Sequence, residues 1–510
     1  MALNDITINK GKGGLGRPLE GTDYVSGFLF YSNATLPTGF TSLNRIKTVY
    51  SVADAVDLGI TNTHLGETKS TSTITVATKS ALADTMTLTV TTIQGVVTLI
   101  NGYVFTTPDS VSKLTTATAI ADQINLGTLT HGFVAVASGV DLVTITAVGG
   151  QGIFLNTGTP YVSTTVGTIV LTLVQNVVVG VASDIDILHY HISEFFRLQP
   201  KGKLFVGIYA TSDYGTFASI TLMQNYAQGE IKQLGIYQKS TAFATSATNG
   251  IQTVCSALEV LHKPLICILG AEISATATVA TITDNLHTLS NPQVSVTIAQ
   301  DGAGVGHTLW HATAKSITNV GEFLGAVAVA KVSESVAWFG KFQVASTELD
   351  TLAFANGQSY LSLSDGTITN LDTLGYCFLR KVTDLTGTFH NRPYSCVSLT
   401  SDYAFIYSNR TIYKAIKNLR GTILPSVGSP IKVNADGTLS TDVINFFKSL
   451  GEQSLDTLVR NAEISNYGII INPAQNVLST GILTITAQIQ PMGVADFIVV
   501  NIGFTLSITT

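Results

Sequence analysis

The residues able to do chemistry in this sequence form a few small constellations. Gly11, Gly13, Gly14 and Gly16 fit G-x-G-x-x-G after a short alternating stretch, Asp5 to Asn9, a spacing that lets backbone amides approach a pyrophosphate. A dinucleotide site also needs a helix N-terminus directly after the glycines, and Arg17-Pro18-Leu19-Glu20-Gly21 does not supply one. The glycines read instead as a flexible hinge. His307 and His311 are four apart with Asp301 nearby, the geometry of a two-histidine metal site on one helical face. No Glu follows His307, so the zinc-protease pattern fails. His189 and His191 are two apart, a strand-like ligand spacing, but they lie in a stretch that reads as helical; all four read as structural histidines. Asp436-Gly437 lacks the further oxygen ligands of a calcium loop and reads as a turn before a helix cap at Ser440. Serines occur without a G-x-S-x-G elbow, and no P-loop or deaminase signature is present. Cys255, Cys267, Cys377 and Cys396 show no C-x-x-C spacing and read as reduced, mostly buried thiols. No enzyme, metal or cofactor is expected.

The elements around these residues form an α/β and α+β multidomain chain. Ile6 and Ile8 alternate with polar neighbours in a short strand on the glycine hinge. A buried strand over 24–31 and a short helix over 51–58 open the first core. Residues 66–183 change in texture, with few charges, abundant Thr and period-2 runs such as Met86, Leu88 and Val90. This predicts an inserted β-rich domain, a small sheet plus a helix near 115–125. From Lys203 strands and helices alternate: a strand over 204–209, a helix near 219–232, a strand over 235–238, and a helix carrying Ile251, Cys255 and Leu258. A strand over 265–269, a further helix before the strand at 294–298, and an apolar helix over 320–332 follow. Nearer the end, a helix over 410–420 is expected to close at Gly421, and a longer one begins at Ser440, where Gly451 is a candidate break. Two strands finish the chain, one through Leu483, Ile485, Ala487 and Ile489, the other through Ile498, Val500, Ile502, Phe504, Leu506 and Ile508.

Composition narrows the partners. At 510 residues the chain has room for two to four domains. Only 12% of residues are charged and the mean hydropathy is positive, which favours extensive surface burial in an assembly over an isolated monomer. The net charge of −6 includes no basic run, so nucleic acid is not an expected partner. Val166–Ser183 is uncharged and nearly long enough to span a bilayer, but Gln175-Asn176 interrupts it and its Thr/Val alternation fits a strand. The N-terminus shows no secretory pattern, so assembly in the cytoplasm is expected.

Several segments resemble the contractile-tail sheath proteins of phages and related injection particles, particularly a Bacteroidetes-type family once described only as a domain of unknown function. They are Gly13-Gly14-Leu15-Gly16-Arg17, Tyr190-His191-Ile192-Ser193-Glu194-Phe195-Phe196 and Glu334-Ser335-Val336-Ala337-Trp338-Phe339-Gly340-Lys341. Downstream come Ser401-Asp402-Tyr403-Ala404-Phe405-Ile406, Asn409-Arg410-Thr411-Ile412, Leu424-Pro425, Ser429-Pro430-Ile431-Lys432-Val433-Asn434, and Val494-Ala495-Asp496-Phe497-Ile498-Val499-Val500.

The resemblance covers 1–60 and 184–510 and leaves the insertion unmatched. It implies a structural subunit of a contractile sheath, stacked as six-membered rings around an inner tube, whose contraction drives the tube through a target envelope. Its partners would be further copies of itself, the tail tube protein, and baseplate and tail-terminator proteins, within a phage virion tail or a contractile injection particle. The expected organisation is an arm and hinge (1–20), a sheath-type α/β domain (21–65 plus 184–390), the outer insertion (66–183), and a C-terminal domain ending in a strand pair (391–510). Ile6, Ile8, Leu483, Ile485, Phe497, Ile498, Val500, Ile502 and Phe504 become inter-subunit arm residues. The C-terminal pair would be the docking sheet, and Asp5 to Asn9 the strap. Lys414, Lys417 and Arg420, at helical spacing, either meet an acidic tube surface or form a solvated face. An alternative from another class is a surface adhesin or shell protein with a β-rich binding domain, favoured by the Thr-rich insertion and opposed by the missing export signal.

Overall fold

A computed structural model describes residues 21–106, 112–500 and 502–504. The main sheet has six strands in the order Val294–Thr297, Ile266–Gly270, Gln233–Tyr237, Ser26–Tyr31, Leu204–Tyr209, Ile46–Val49. The first five run parallel and the last is antiparallel. Parallel strands are covered on both faces, which is why their sequences are nearly unbroken apolar runs. Alternate residues feed two cores. Leu29 and Tyr31 join Ile220, Met223, Ile251, Cys255 and Leu258 from helices Ala218–Tyr226 and Thr245–Val260. Phe28 and Phe30 face the other way, toward helices Asp184–Leu198 and Val320–Val329.

Those last two helices cross at close range because of glycines spaced four apart. A Cβ on Gly321 would lie 2.3 Å from the His191 carbonyl oxygen, and one on Gly325 would lie 2.8 Å from that of Phe195. Side chains cannot yield here, since the obstacle is backbone. Gly321→Ala is therefore expected to lower stability by about 1–3 kcal/mol through overpacking. Thermal denaturation of the purified variant checks this, and an unchanged melting temperature would remove the close crossing.

A buried polar chain crosses this same region. Thr297 Oγ1 donates to Asn319 Oδ1 (2.5 Å), Asn319 Nδ2 donates to Glu322 Oε2 (2.7 Å), and Glu322 Oε1 lies 3.0 Å from His390 Nε2. It ties the sheet, helix Val320–Val329 and strand Leu385–His390 together.

Residues 71–178 hold two antiparallel sheets and helix Lys113–Leu126, where the sequence suggested one small sheet with a helix. Two alternating strands, Thr71–Thr78 and Thr85–Thr92, each seed a sheet, and their inward residues Ile74, Val76, Met86, Leu88 and Val90 meet Ile120 and Ile124 in one core. At the root of this body Thr68 and Val181 exchange backbone hydrogen bonds at 3.0 and 2.8 Å.

Three local expectations fail for identifiable reasons. No helix of more than one turn lies between strands Ile266–Gly270 and Val294–Thr297: residues 279–281 and 286–288 form single 3₁₀ turns, because Thr278 and Asn285 side chains accept from backbone N–H groups and compete with helix propagation. Gly421 does not close its helix, which runs Ile406–Ile423 and stops at Pro425. Gly451 does not break helix Thr441–Arg460; a Cβ there would sit 3.0 Å from Ile469 Cδ1, so the glycine admits strand Ile464–Ile470 against the helix. Ser440 stands at the N-cap position of that helix but its hydroxyl makes no capping bond.

Candidate assembly site at the two ends of the chain

The residues with chemical potential are occupied in structural work. Asp301 Oδ1 accepts from Ala303 N (3.2 Å) and Gly304 N (3.0 Å), and its Oδ2 accepts from Gly306 N (3.1 Å), so this carboxylate caps the helix carrying His307 and His311. The two histidines approach each other, Nε2 to Nε2, at 3.1 Å. Among the described residues no group of three or more His, Cys, Asp and Glu could hold a metal ion. His191 packs between the Phe28, Tyr190 and Tyr237 rings, and burial lowers its pKa to about 3, which keeps the ring neutral. His189 faces Ser193, and burial lowers its pKa as well. Cys255 and Cys267 lie with their sulfurs 3.5 Å apart, both free and buried like Cys377 and Cys396. Asp436 accepts from Thr438 within its turn. Among the described residues no helix is long and apolar enough to cross a membrane.

One titrating group stands out. A cleft of about 310 Å³ between the two-sheet body of residues 71–178 and the main sheet's helices is lined by His64, Gln94, Gly150, Asp186, Tyr190, Glu194 and Glu348, among others. Glu348 Oε2 accepts from Val305 N at 2.8 Å. Burial, and next a hydrogen bond with Asp301, push its carboxyl from 4.5 up to about 7. A raised acid pKa means the folded state retains a proton that the unfolded chain releases. Its stabilisation is present below pH 4.5 and is lost as pH rises through 7. Glu348→Gln is expected to flatten the fall in melting temperature between about pH 5 and about pH 8. Identical pH profiles for the variant and the parent would refute the assignment.

The C-terminal part is built differently from the rest. Helices Ile406–Ile423 and Thr441–Arg460 pack on a two-stranded antiparallel sheet, Ile464–Ile470 with Thr486–Pro491, around a small core of Ala415, Leu455, Leu458, Ile464 and Ile469. Leu483 and Ile485, expected inside the first end strand, lie just ahead of it. The Gln475 side chain takes both backbone groups of Thr484, at 2.6 and 2.9 Å, and holds that stretch as a loop.

Among the described residues the last two expected strands do not pair with each other; Leu506 and Ile508 lie outside the described residues. The first pairs with Ile464–Ile470, and beyond Pro491 the described residues enter no strand ladder. Phe497, Ile498, Val500, Ile502 and Phe504 are all at least 76% exposed. The chain is drawn off the hairpin by a clasp that sequence reasoning missed. The Arg392 guanidinium sits 4.6 Å from the Phe497 ring centre and 3.7 Å from Asp496 Oδ2, and it donates to the Tyr394 hydroxyl at 3.2 Å. Nothing in the spacing of Arg392 and Asp496 signals this contact.

Of the other predicted site residues, Ile6, Ile8, Gly11, Gly13, Gly14 and Gly16 lie outside the described residues. Lys414 is engaged within the chain, 2.5 Å from both Asp23 Oδ2 and Glu463 Oε1. Lys417 Nζ donates to Thr22 Oγ1 at 2.9 Å, and Arg420 is exposed.

Comparison with known proteins places this architecture in a family. Residues 3–392 match the family described as DUF2586, N-terminal domain, and residues 402–509 match DUF2586, C-terminal domain; the chain belongs to the DUF2586 family. Among solved structures it is similar to the helical sheath of the anti-feeding prophage in its contracted state, at 14% identity over 62% of this chain and 81% of that one, with a TM-score of 0.44. It is also similar to the sheath tail protein of Desulfitobacterium hafniense, at 13% identity over 96% of this chain and 100% of that one (TM-score 0.36). A third is a sheath tail protein of Listeria innocua, at 10% identity over 93% and 96% (TM-score 0.38). No curated protein matches the sequence.

Proposed function

We propose that this chain is the sheath subunit of a contractile tail, linked to its neighbours by strands at its ends. One observation carries the reading. Among the described residues, a two-stranded sheet with unpaired outer edges, Ile464–Ile470 with Thr486–Pro491, occurs together with an apolar, strand-patterned segment that enters no strand ladder. A two-stranded ribbon is marginal alone, and an open edge accepts a strand by main-chain hydrogen bonds. An end segment from another copy would satisfy both. Each cross-strand pair adds roughly 0.2–1 kcal/mol, so several pairs per arm make a persistent link. The six-membered rings, inner tube, baseplate and terminator contacts, and contraction follow the resemblance carried by the sequence segments.

Electron microscopy and sedimentation of the full chain, alone and with tail tube protein, test the reading. Rings or tubes are expected, and monomers alone under both conditions would end it. The N-terminal strap has its own test. Deleting residues 1–10 is expected to leave folded subunits that form no continuous sheath, and normal tubes from that deletion would refute a linking role for Ile6 and Ile8.

A further inference from the structure

Lys414 and Lys417 were candidates for contact with an inner tube, but both point to the place where the N-terminal arm joins the body. Arg410, Lys414 and Lys417 fall on one face of helix Ile406–Ile423 and converge on Thr22 and Asp23. Arg410 is buried; its Nη2 donates to Asp23 O at 3.2 Å, and its Nη1 donates to Ala330 O at 3.1 Å. Gln233 Nε2, on the main sheet, also donates to Asp23 O, at 3.0 Å. Lys414 bridges Asp23 to Glu463, which stands at the entrance to strand Ile464–Ile470.

Two residues of the arm root thus receive bonds from the main sheet and from the C-terminal helix. That helix is already attached to the body through buried Ile406 and Asn409, whose Nδ2 donates to Pro292 O at 2.9 Å, so its docking does not require the lysines. What the lysines add is a fixed position for Thr22 and Asp23.

We propose that Arg410, Lys414 and Lys417 form a clamp on Thr22 and Asp23 that sets the direction in which the N-terminal arm leaves the subunit and couples that arm to the C-terminal helices. The coupling has a mechanical consequence. Tension on an arm held by a neighbouring copy passes through Asp23 and Lys414 to Glu463, and so to the sheet that receives other arms. The functional part of this inference rests on the assembly reading above, whereas the clamp itself is measurable on monomers.

The test uses the full chain with Lys414→Ala/Lys417→Ala, and Lys414→Met/Lys417→Met as a second variant that keeps the aliphatic stems. Hydrogen exchange of monomers at residues 22–26 is expected to quicken about tenfold or more while the central strands stay protected. The concentration needed for polymerisation is expected to rise about tenfold. The conservative variant Lys414→Arg keeps a cation within reach of both Asp23 and Glu463, and both readouts are expected to stay near the parent's. Unchanged exchange at 22–26 overturns the clamp. Quickened exchange with parental polymerisation overturns its role in directing the arm. Quickened exchange in a protein whose parent never polymerises leaves the clamp standing and removes the sheath reading instead.

Discussion

A chain ending at Pro491 is expected to fold as a monomer and to lose polymerisation completely. The described part of the missing segment contributes little to its own subunit, since every described residue from Met492 to Phe504 is exposed. Its side-chain attachments among the described residues include the Asp496 and Phe497 contacts with Arg392 and a Ser465–Met492 contact. The Arg392–Asp496 pair is partly exposed and is worth no more than about 1 kcal/mol. The melting temperature should therefore move by only a few degrees. Assembly is a different matter. Burying Phe497, Ile498, Val500, Ile502 and Phe504 on a neighbour removes five large apolar side chains from water, each worth up to roughly 1.5–3 kcal/mol when fully buried. Ordering and association costs take back much of that sum, yet a link of this size decides whether subunits polymerise at micromolar concentration. Sedimentation velocity and electron microscopy of the truncated chain provide the check. Normal tubes would show that the segment is not a link, and a melting temperature lowered by tens of degrees would show that it belongs to its own subunit's core.

The second large effect lies far from the termini. Glu322→Ala should cost about 3–5 kcal/mol, because it removes the centre of a buried polar chain and leaves its neighbours without partners. Glu322 and His390 side chains are 0% and 1% exposed, so water cannot replace the lost bonds. Asn319 Nδ2 would lose its 2.7 Å acceptor and His390 Nε2 its 3.0 Å partner, while His390 Nδ1 already has none. Replacing both ends, Glu322→Leu/His390→Leu, should cost less than Glu322→Ala alone, since no polar atom of that pair is then stranded. Chemical denaturation of the three proteins separates these cases. A Glu322→Ala variant within 1 kcal/mol of the parent would show that the chain is not the structural tie its geometry implies.

Much of the architecture was legible in the order of residues. The nearly unbroken apolar runs over 26–31 and 204–209 mark buried strands, and the Thr/apolar alternation of Thr85–Thr92 marks a strand with one buried face. The apolar alternation through Ile498, Val500, Ile502 and Phe504 was legible as well, and these side chains are exposed; their use as an arm is the proposal made above. What was not legible involves turn chemistry and distant contacts. Thr278 and Asn285 suppressed an expected helix by local side-chain bonds. Gly451 looked like a helix breaker and is a docking notch, because its neighbour Ile469 comes from a strand further along the chain.

By itself, then, the sequence determined the type and buried face of most elements, the want of any complete catalytic or metal motif, and the apolar alternation of the C-terminal end. These are properties of periodicity and of residue type, which act over a turn of helix or a few residues of strand. Only the tertiary structure decided that Lys414 meets Asp23 across 391 residues, that Arg392 holds Asp496 and Phe497, and that the described residues beyond Pro491 enter no strand ladder with other described residues. Those outcomes depend on which surfaces the packed cores bring within a few ångströms of each other, and no spacing along the chain encodes that distance.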